Sequence, residues 1–442
     1  MQIQIDREQL VYLSRIRLDP LGYVARYGEH IFRIVEISKR EAVEKFLSSP
    51  FYYALEDERL ITPVKINDNY ILDEEHFLLE SKLLPYTILP SQWTFSMLKE
   101  AVITVLKIFI LCEKHGYNMI DGHPYNVLFN FSRPVWCDIG SFVKKKKHQE
   151  SISGMYEFLR TMYRPLLLWH KGYDYLANMS LADSNINRLA FIEHSIPLKY
   201  TRRFFKLWRL IYNKLCTMAR FDEKYHVPPD IWFYQFMLRK VSNYTSPKRE
   251  TFWTDYQDEI SRTKKSDRFA KIGDLLRKNC RDICSAIDLA GNQGELIKSL
   301  LAEGSIQWGV VLDYDIGAID RLYRSIYGTD QKIFSVCGNM IDWKNKNERQ
   351  KADLVLATAV THHLLLTQKI PIDLIFSEIN RYAKKYVLIE FMPLGLWDGH
   401  TAPPVPDWYS ETWFDREFRS FFEFIVREQL GPNRIVYMGR IK

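Results

Sequence analysis

Short apolar runs recur through the second half of the chain, most of them followed by residues of helical period. The runs are Ala286 to Leu289, Trp308 to Leu312, Lys332 to Cys337, Asp353 to Thr358 and Tyr386 to Phe391. Glu295 to Ala302 and Ile372 to Ala383 between them carry helical spacing. Strands alternating with helices in this way predict an α/β fold, a doubly wound parallel sheet. Beyond the fifth run, Glu411 to Phe422 reads as a helix, with Phe424 to Leu430 and Arg434 to Ile441 as two further strands.

The first half has a different rhythm. Residues 1–90 mix short strands and helices, with a hairpin turning at Gly28 and a helix over Lys39 to Leu47. Gln92 to His115 reads as one long amphipathic helix, apolar at Met97, Ala101, Val105, Ile108 and Leu111. Residues 150–241 are helical in pattern and aromatic, and Ser242 to Ser266 is polar around Pro247. The predicted division is an N-terminal α+β domain over 1–241 (a small lobe 1–90, a helical lobe 91–241), a linker 242–266 and the α/β domain 267–442, entered by a helix over Arg268 to Asn279.

Composition narrows this reading modestly. With 442 residues, two domains can each bury a core, and 47% hydrophobic against 26% charged residues excludes a disordered chain. The net charge of +7 allows an anionic partner without demanding one, and nucleic acid is not the expected partner. Six cysteines without a C-x-x-C pair read as reduced thiols in a cytoplasmic protein. MQIQIDREQL lacks a signal pattern, and Val102 to Cys112, broken by Lys107, is too short to span a bilayer. Peripheral attachment to a membrane remains open on this charge.

The chemistry gathers at two stretches. In SAIDLAGNQGE, a buried strand runs through a small-residue turn, Ala290 to Gly294, into a helix whose first N–H groups are free. Asp288 ends the strand, and Asp313 ends the next, about 20 residues past the turn, where an acid can meet a ribose diol. With DLVLATAVTHHL at the fourth strand, residues 266–442 resemble the class I S-adenosylmethionine-dependent methyltransferases. DLAGNQGE stands where that family has D-x-G-x-G-x-G, with Ala290 and Asn292 replacing its first two glycines. The G-x-G-x-x-G of nicotinamide-binding domains is absent.

The second stretch is GYNMIDGHPYNVLFNFSRPVWCDIGSF. Asp121, Asn126 and Asp138 have the types and spacing that phosphoryl transfer needs, an acid beside the acceptor hydroxyl and two oxygen ligands for magnesium. The segment resembles the catalytic loop of the aminoglycoside and choline kinase-like fold. Met119 stands where that pattern has histidine, no glycine-rich phosphate loop precedes it, and Arg33, with Glu41 or Glu44, is the nearest substitute for the phosphate-binding lysine. A purely structural role for Asp121 and Asn126, as loop staples, is the competing reading. The run Lys144 to Lys147 reads as solvated surface.

The methyltransferase resemblance implies S-adenosylmethionine as cofactor. It places Asp288, Ala290, Gly291 and Gly294 at the methionine end, Asp313 at the ribose, Asn339 and Met340 at the adenine, and Thr358 beside them. His362 or His363 is then the general base, His362 preferred, with Glu390 and His400 as weaker candidates; Asp315 is expected to cap a helix. The kinase resemblance implies Asp121 as catalytic acid or base, Asn126 and Asp138 as magnesium ligands, and ATP as a second cofactor if that site is active. Chains of this pairing resemble bacterial surface-glycan-modifying proteins, so the implied act is methylation of a glycan or other hydroxyl-bearing acceptor, held by the N-terminal half. The alternatives are a bifunctional kinase-methyltransferase and a non-catalytic scaffold.

Overall fold

The structure is a computed structural model that describes residues 2–13, 21–145, 153–182, 230–247, 262–341, 350–397 and 400–442. Lys146 and Lys147, the aromatics Phe204, Trp208 and Tyr212, and Cys216 lie outside these residues.

The N-terminal module opens with a five-stranded antiparallel sheet. Its strands are β1 (Val11–Tyr12), β2 (Tyr23–Tyr27), β3 (His30–Glu36), β4 (Val64–Ile66) and β5 (His76–Ser81), in the order β1-β2-β3-β5-β4. Gly28, at φ 56°, makes the β2–β3 turn that the pattern placed there. Helices α1 (Arg40–Leu47) and α2 (Pro50–Asp57) cross between β3 and β4.

Helix α3 (Phe95–His115) carries the helical part of this module. It begins later than the apolar pattern suggested, because Thr94 caps Met97 N–H and Pro90–Gln92 forms a separate short turn. Gly116, at φ 74°, ends it in the left-handed conformation. The hairpin β6 (Val127–Asn130) and β7 (Arg133–Trp136) follows, then α4 (Ser153–Phe158), α5 (Arg164–His170), α6 (Asp174–Ala182) and α7 (Ile231–Ser242).

Helix α8 (Arg262–Asn279) leads into the second module, starting inside the stretch whose polarity suggested a linker. The sheet there comprises β8 (Ser285–Leu289), β9 (Trp308–Asp313), β10 (Ile333–Cys337), β11 (Ala352–Ala357), β12 (Ala383–Phe391), β13 (Phe422–Gly431) and β14 (Arg434–Ile441). Their order is β10-β9-β8-β11-β12-β14-β13. The first five are parallel, and β14 enters antiparallel between β12 and β13. Helices α9 (Glu295–Ala302), α10 (Ile316–Ile326), α11 (Ile372–Tyr382) and α12 (Glu411–Phe421) connect or flank the strands. Every residue of β8 is buried, which is why it reads as a run rather than an alternation. The order reverses between β8 and β11, and such a switch opens a crevice at the carboxyl ends of the strands.

One apolar cluster runs through both modules. Tyr86 and Phe131 pack on Phe334 of β10, with ring centroids 5.6 and 4.8 Å apart, and Phe129 meets Tyr323 of α10. The N-terminal module therefore packs on a face of the sheet at β10.

Candidate cofactor and acceptor site

The turn after β8 explains the residues that occupy it. Ala290, Asn292 and Gly294 have φ of 58°, 50° and 72°. All three positions where the resembled family has glycine are thus left-handed here, and the two substitutions hold that conformation against its steric cost. Gly291 has a different reason: a Cβ there would lie 2.8 Å from the Asp288 carboxyl. Asp313 staples the turn, its Oδ2 accepting Asn292 N–H and its Oδ1 accepting Asp315 N–H, both at 2.8 Å. Asp315 caps α10 by accepting Gly317 and Ala318 N–H.

Beneath the turn, Asp288 is 3% exposed and its Oδ1 has no hydrogen-bond partner. Burial pushes its pKa up to about 7, opposed by the Arg268 charge and reinforced by Asp313 and Glu390. Glu390, at the end of β12, is wholly buried; its Oε2 takes Arg434 at 2.8 Å and Arg268 at 3.2 Å, while Oε1 has no partner. Buried polar atoms are normally satisfied, and these two carboxyl oxygens, on β8 and β12, are without a partner.

Arg268 and Arg434 were not singled out in the sequence as site residues. They lie 122 and 44 residues from Glu390, and α8 and β14 deliver them only through the fold.

After β11, Ala359 turns at φ 54° and Thr361 Oγ1 donates to Glu390 C=O at 2.7 Å, fixing the start of the histidine segment. The two imidazoles stack 4.1 Å apart but differ in setting. His362 is 5% exposed, its Nδ1 is unpartnered, and burial lowers its pKa to about 3, helped by His363 and Arg434. His363 is half-buried and its pKa is lowered by burial alone. Of the adenine candidates, Met340 is buried and Asn339 exposed, its Oδ1 accepting Ile341 N–H; Gly338 N–H donates to Asp313 C=O and ties this loop to β9. Thr358 is half-buried at the end of β11, and His400 is exposed.

Asp121, Asn126 and Asp138 form a second group, in the N-terminal module. Asp121 accepts His123 N–H at 2.9 Å, and Asn126 Nδ2 is buried without a partner. Asp138 Oδ1, where the spacing suggests magnesium, instead takes Arg33 Nη2 at 2.8 Å and Gly140 N–H at 3.0 Å. Glu41 and Glu44 pair along their own helix with Lys45 and Arg40. Glu157 has its pKa pushed up to about 7 by burial and then by the Asp121 charge. Among the described residues, no group of three or more histidine, cysteine or acidic side chains is placed to hold a metal ion. No helix among them is long and apolar enough to cross a membrane.

No protein-family model matches the chain. A nodulation protein of Rhizobium meliloti (strain 1021), NoeA, is 24% identical over 352 residues, 72% of this chain and 70% of that one. Among solved structures, the N-methyltransferase NodS of Bradyrhizobium japonicum WM9 is similar to 41% of this chain over 98% of its own, at 13% identity and a TM-score of 0.32. A methyltransferase of Aquifex aeolicus is similar to 44% of this chain over its full length, at 12% identity and a TM-score of 0.35.

Proposed function

We propose that the chain is an S-adenosylmethionine-dependent methyltransferase acting on a hydroxyl-bearing acceptor, with a bacterial glycan as the acceptor class. The observation that carries this reading is the carboxyl edge of the sheet. There a triply left-handed turn, two orphaned buried carboxyl oxygens and two arginines meet on a parallel sheet into which β14 enters antiparallel beside β12.

The residues fit the cofactor. Asp288 Oδ1 lacks a donor that an ammonium group supplies, and the glycine at 291 leaves room where a side chain would strike that carboxyl. Asp313 offers a carboxylate to a ribose hydroxyl, and Arg268 brings a cation for a carboxylate. When bound, the cofactor would supply an electrophilic methyl group on a sulfonium, and its transfer to the acceptor oxygen needs positioning above all.

The chain's own tasks are to orient the acceptor and to take its proton. His362 is too weak a base at a pKa of about 3, so His363, the more accessible imidazole, is assigned the proton. Arg434 and Glu390 fix the wall beside it. The nodulation name of the relative matched over 352 residues supports a glycan-related acceptor. The N-terminal module is assigned acceptor binding rather than phosphoryl transfer, because Arg33 already neutralises Asp138.

Calorimetric titration with S-adenosylmethionine tests the reading. The expected result is micromolar binding that falls at least tenfold in Asp313→Ala, and heat-silent titrations of a folded wild-type chain would end the assignment. ATP with magnesium, titrated separately, is expected to give no signal; binding that vanishes in Asp138→Ala would restore the bifunctional reading.

A further inference from the structure

The strand order sets where each part of the cofactor falls. With its amino-acid end at the β8 turn and its ribose at Asp313, the end of β9, a ligand lying across the carboxyl edge runs outward along β8-β9-β10, so its base reaches the end of β10. There Gly338 N–H donates to Asp313 C=O at 2.9 Å, tying the loop from Gly338 to Met340 to the ribose end. Gly338 is partly exposed and Asn339 exposed, so the loop is open to a ligand.

The atom that faces this loop from outside belongs to the other module. Apart from its chain neighbours, a Cβ built on Gly338 would meet only Gln92 Nε2 within 4 Å, at 3.7 Å. Gln92 ends the short turn Pro90–Gln92 ahead of α3, and its Oε1 accepts Leu89 N–H at 2.9 Å and Gln350 Nε2 at 3.0 Å. A backbone N–H can only donate, so the Leu89 bond fixes which end of the carboxamide is oxygen and turns the NH2 end toward Gly338.

Both modules hold this amide in place. Gln350, 2% exposed just before β11, also donates to Thr87 C=O at 3.1 Å, and Tyr86 and Trp93 on either side of the segment are buried. Gln92 itself is partly exposed, and among the described residues nothing accepts from its Nε2. An oriented donor without a protein acceptor, standing over an open glycine, is placed for an acceptor that a ligand brings.

We infer that Gln92 completes the cofactor site from the N-terminal module, its Nε2 donating a hydrogen bond to N1 of the adenine. The inference rests on the methyltransferase reading. Adenine carries N1, a lone-pair acceptor, on the edge opposite its glycosidic bond, and a donor standing beyond β10 meets that outer edge first. The contact is specific for the base: hypoxanthine, with a hydrogen on N1 and an oxygen at C6, presents a donor where adenine presents an acceptor.

The test is isothermal calorimetry on the full chain with S-adenosylhomocysteine and its inosine counterpart, S-inosylhomocysteine. Wild type is expected to bind the adenosyl ligand about tenfold tighter. Gln92→Glu keeps the oxygen that accepts from Leu89 and Gln350 and replaces the donor by an acceptor, so the adenosyl ligand should weaken about tenfold while the inosyl ligand tightens. Gln92→Met, which carries no amide, should bind the two within about twofold of each other. A merely structural role would weaken both ligands by one factor and leave their ratio alone. The inference is overturned if wild type does not distinguish the ligands, if their ratio keeps its wild-type value in both variants, or if both ligands lose equally. Failure of S-adenosylhomocysteine to bind wild type would instead end the methyltransferase reading, and this inference with it.

Discussion

At Asp288 the chain buries a carboxyl at an energetic cost. Its carboxyl ionises near 3.8 when solvated and only at about 7 in the fold, so the folded protein holds a proton that the unfolded chain has released. The sign follows directly: below about pH 4 both states are protonated and nothing is lost. Between pH 4 and 7 the unfolded state is increasingly favoured, and the loss is complete above 7. Asp288→Asn removes the titration while keeping the shape. Urea unfolding should show this variant more stable than wild type by about 4 kcal/mol at pH 8 and by only about 1 kcal/mol at pH 4.5. Cofactor binding should meanwhile collapse. Equal effects at both pH values would mean that the buried carboxyl is not the source of the cost.

At the scale of elements, the β8–α9 turn shows how a backbone path is kept without glycine. Glycine is the permissive residue where the backbone turns left-handed, and here Ala290 and Asn292 make such a turn at φ of 58° and 50°. Asparagine tolerates that region better than alanine, so the strain concentrates at Ala290. Ala290→Gly should therefore raise unfolding stability by roughly 1 kcal/mol, read from the urea midpoint at unchanged slope. Destabilisation by glycine at this position would show that the turn is not left-handed there.

The whole molecule behaves as one packed body rather than two domains on a tether. Asp320 of α10 accepts both Ser96 N–H and Ser96 Oγ, so an acid of the C-terminal module serves the positive end of α3. Gln350 donates to the Thr87 carbonyl and to Gln92, and Ser132 donates to the Ile326 carbonyl across the same junction. Phe334, fully buried, sits among Tyr86, Phe131 and Trp308. Phe334→Ala is expected to cost about 3–5 kcal/mol and to lower a single calorimetric transition. A scan with two transitions, only one of them shifted, would contradict the shared core.

The sequence by itself determined the elements. Buried parallel strands read as continuous apolar runs, Gly28 and Gly116 marked chain reversals, and the acids of β8 and β9 stood at strand ends, because these are local consequences of period and backbone freedom. Asp288, Asp313 and the turn were legible for the same reason. Only the tertiary structure decided which histidine is accessible, since His362 and His363 are adjacent in sequence and burial separates them. It also decided that Arg33 meets Asp138 and that Arg268 and Arg434 converge on Glu390. Those pairings close over long stretches of chain, and no local pattern encodes the partner of a charge. The polar stretch before Ser266 misled for a related reason: helix α8 begins within it, and docking on the sheet overrides its weak apolar period. The shared core was equally hidden, because Tyr86, Phe131 and Phe334 each look like ordinary core residues until the two modules pack.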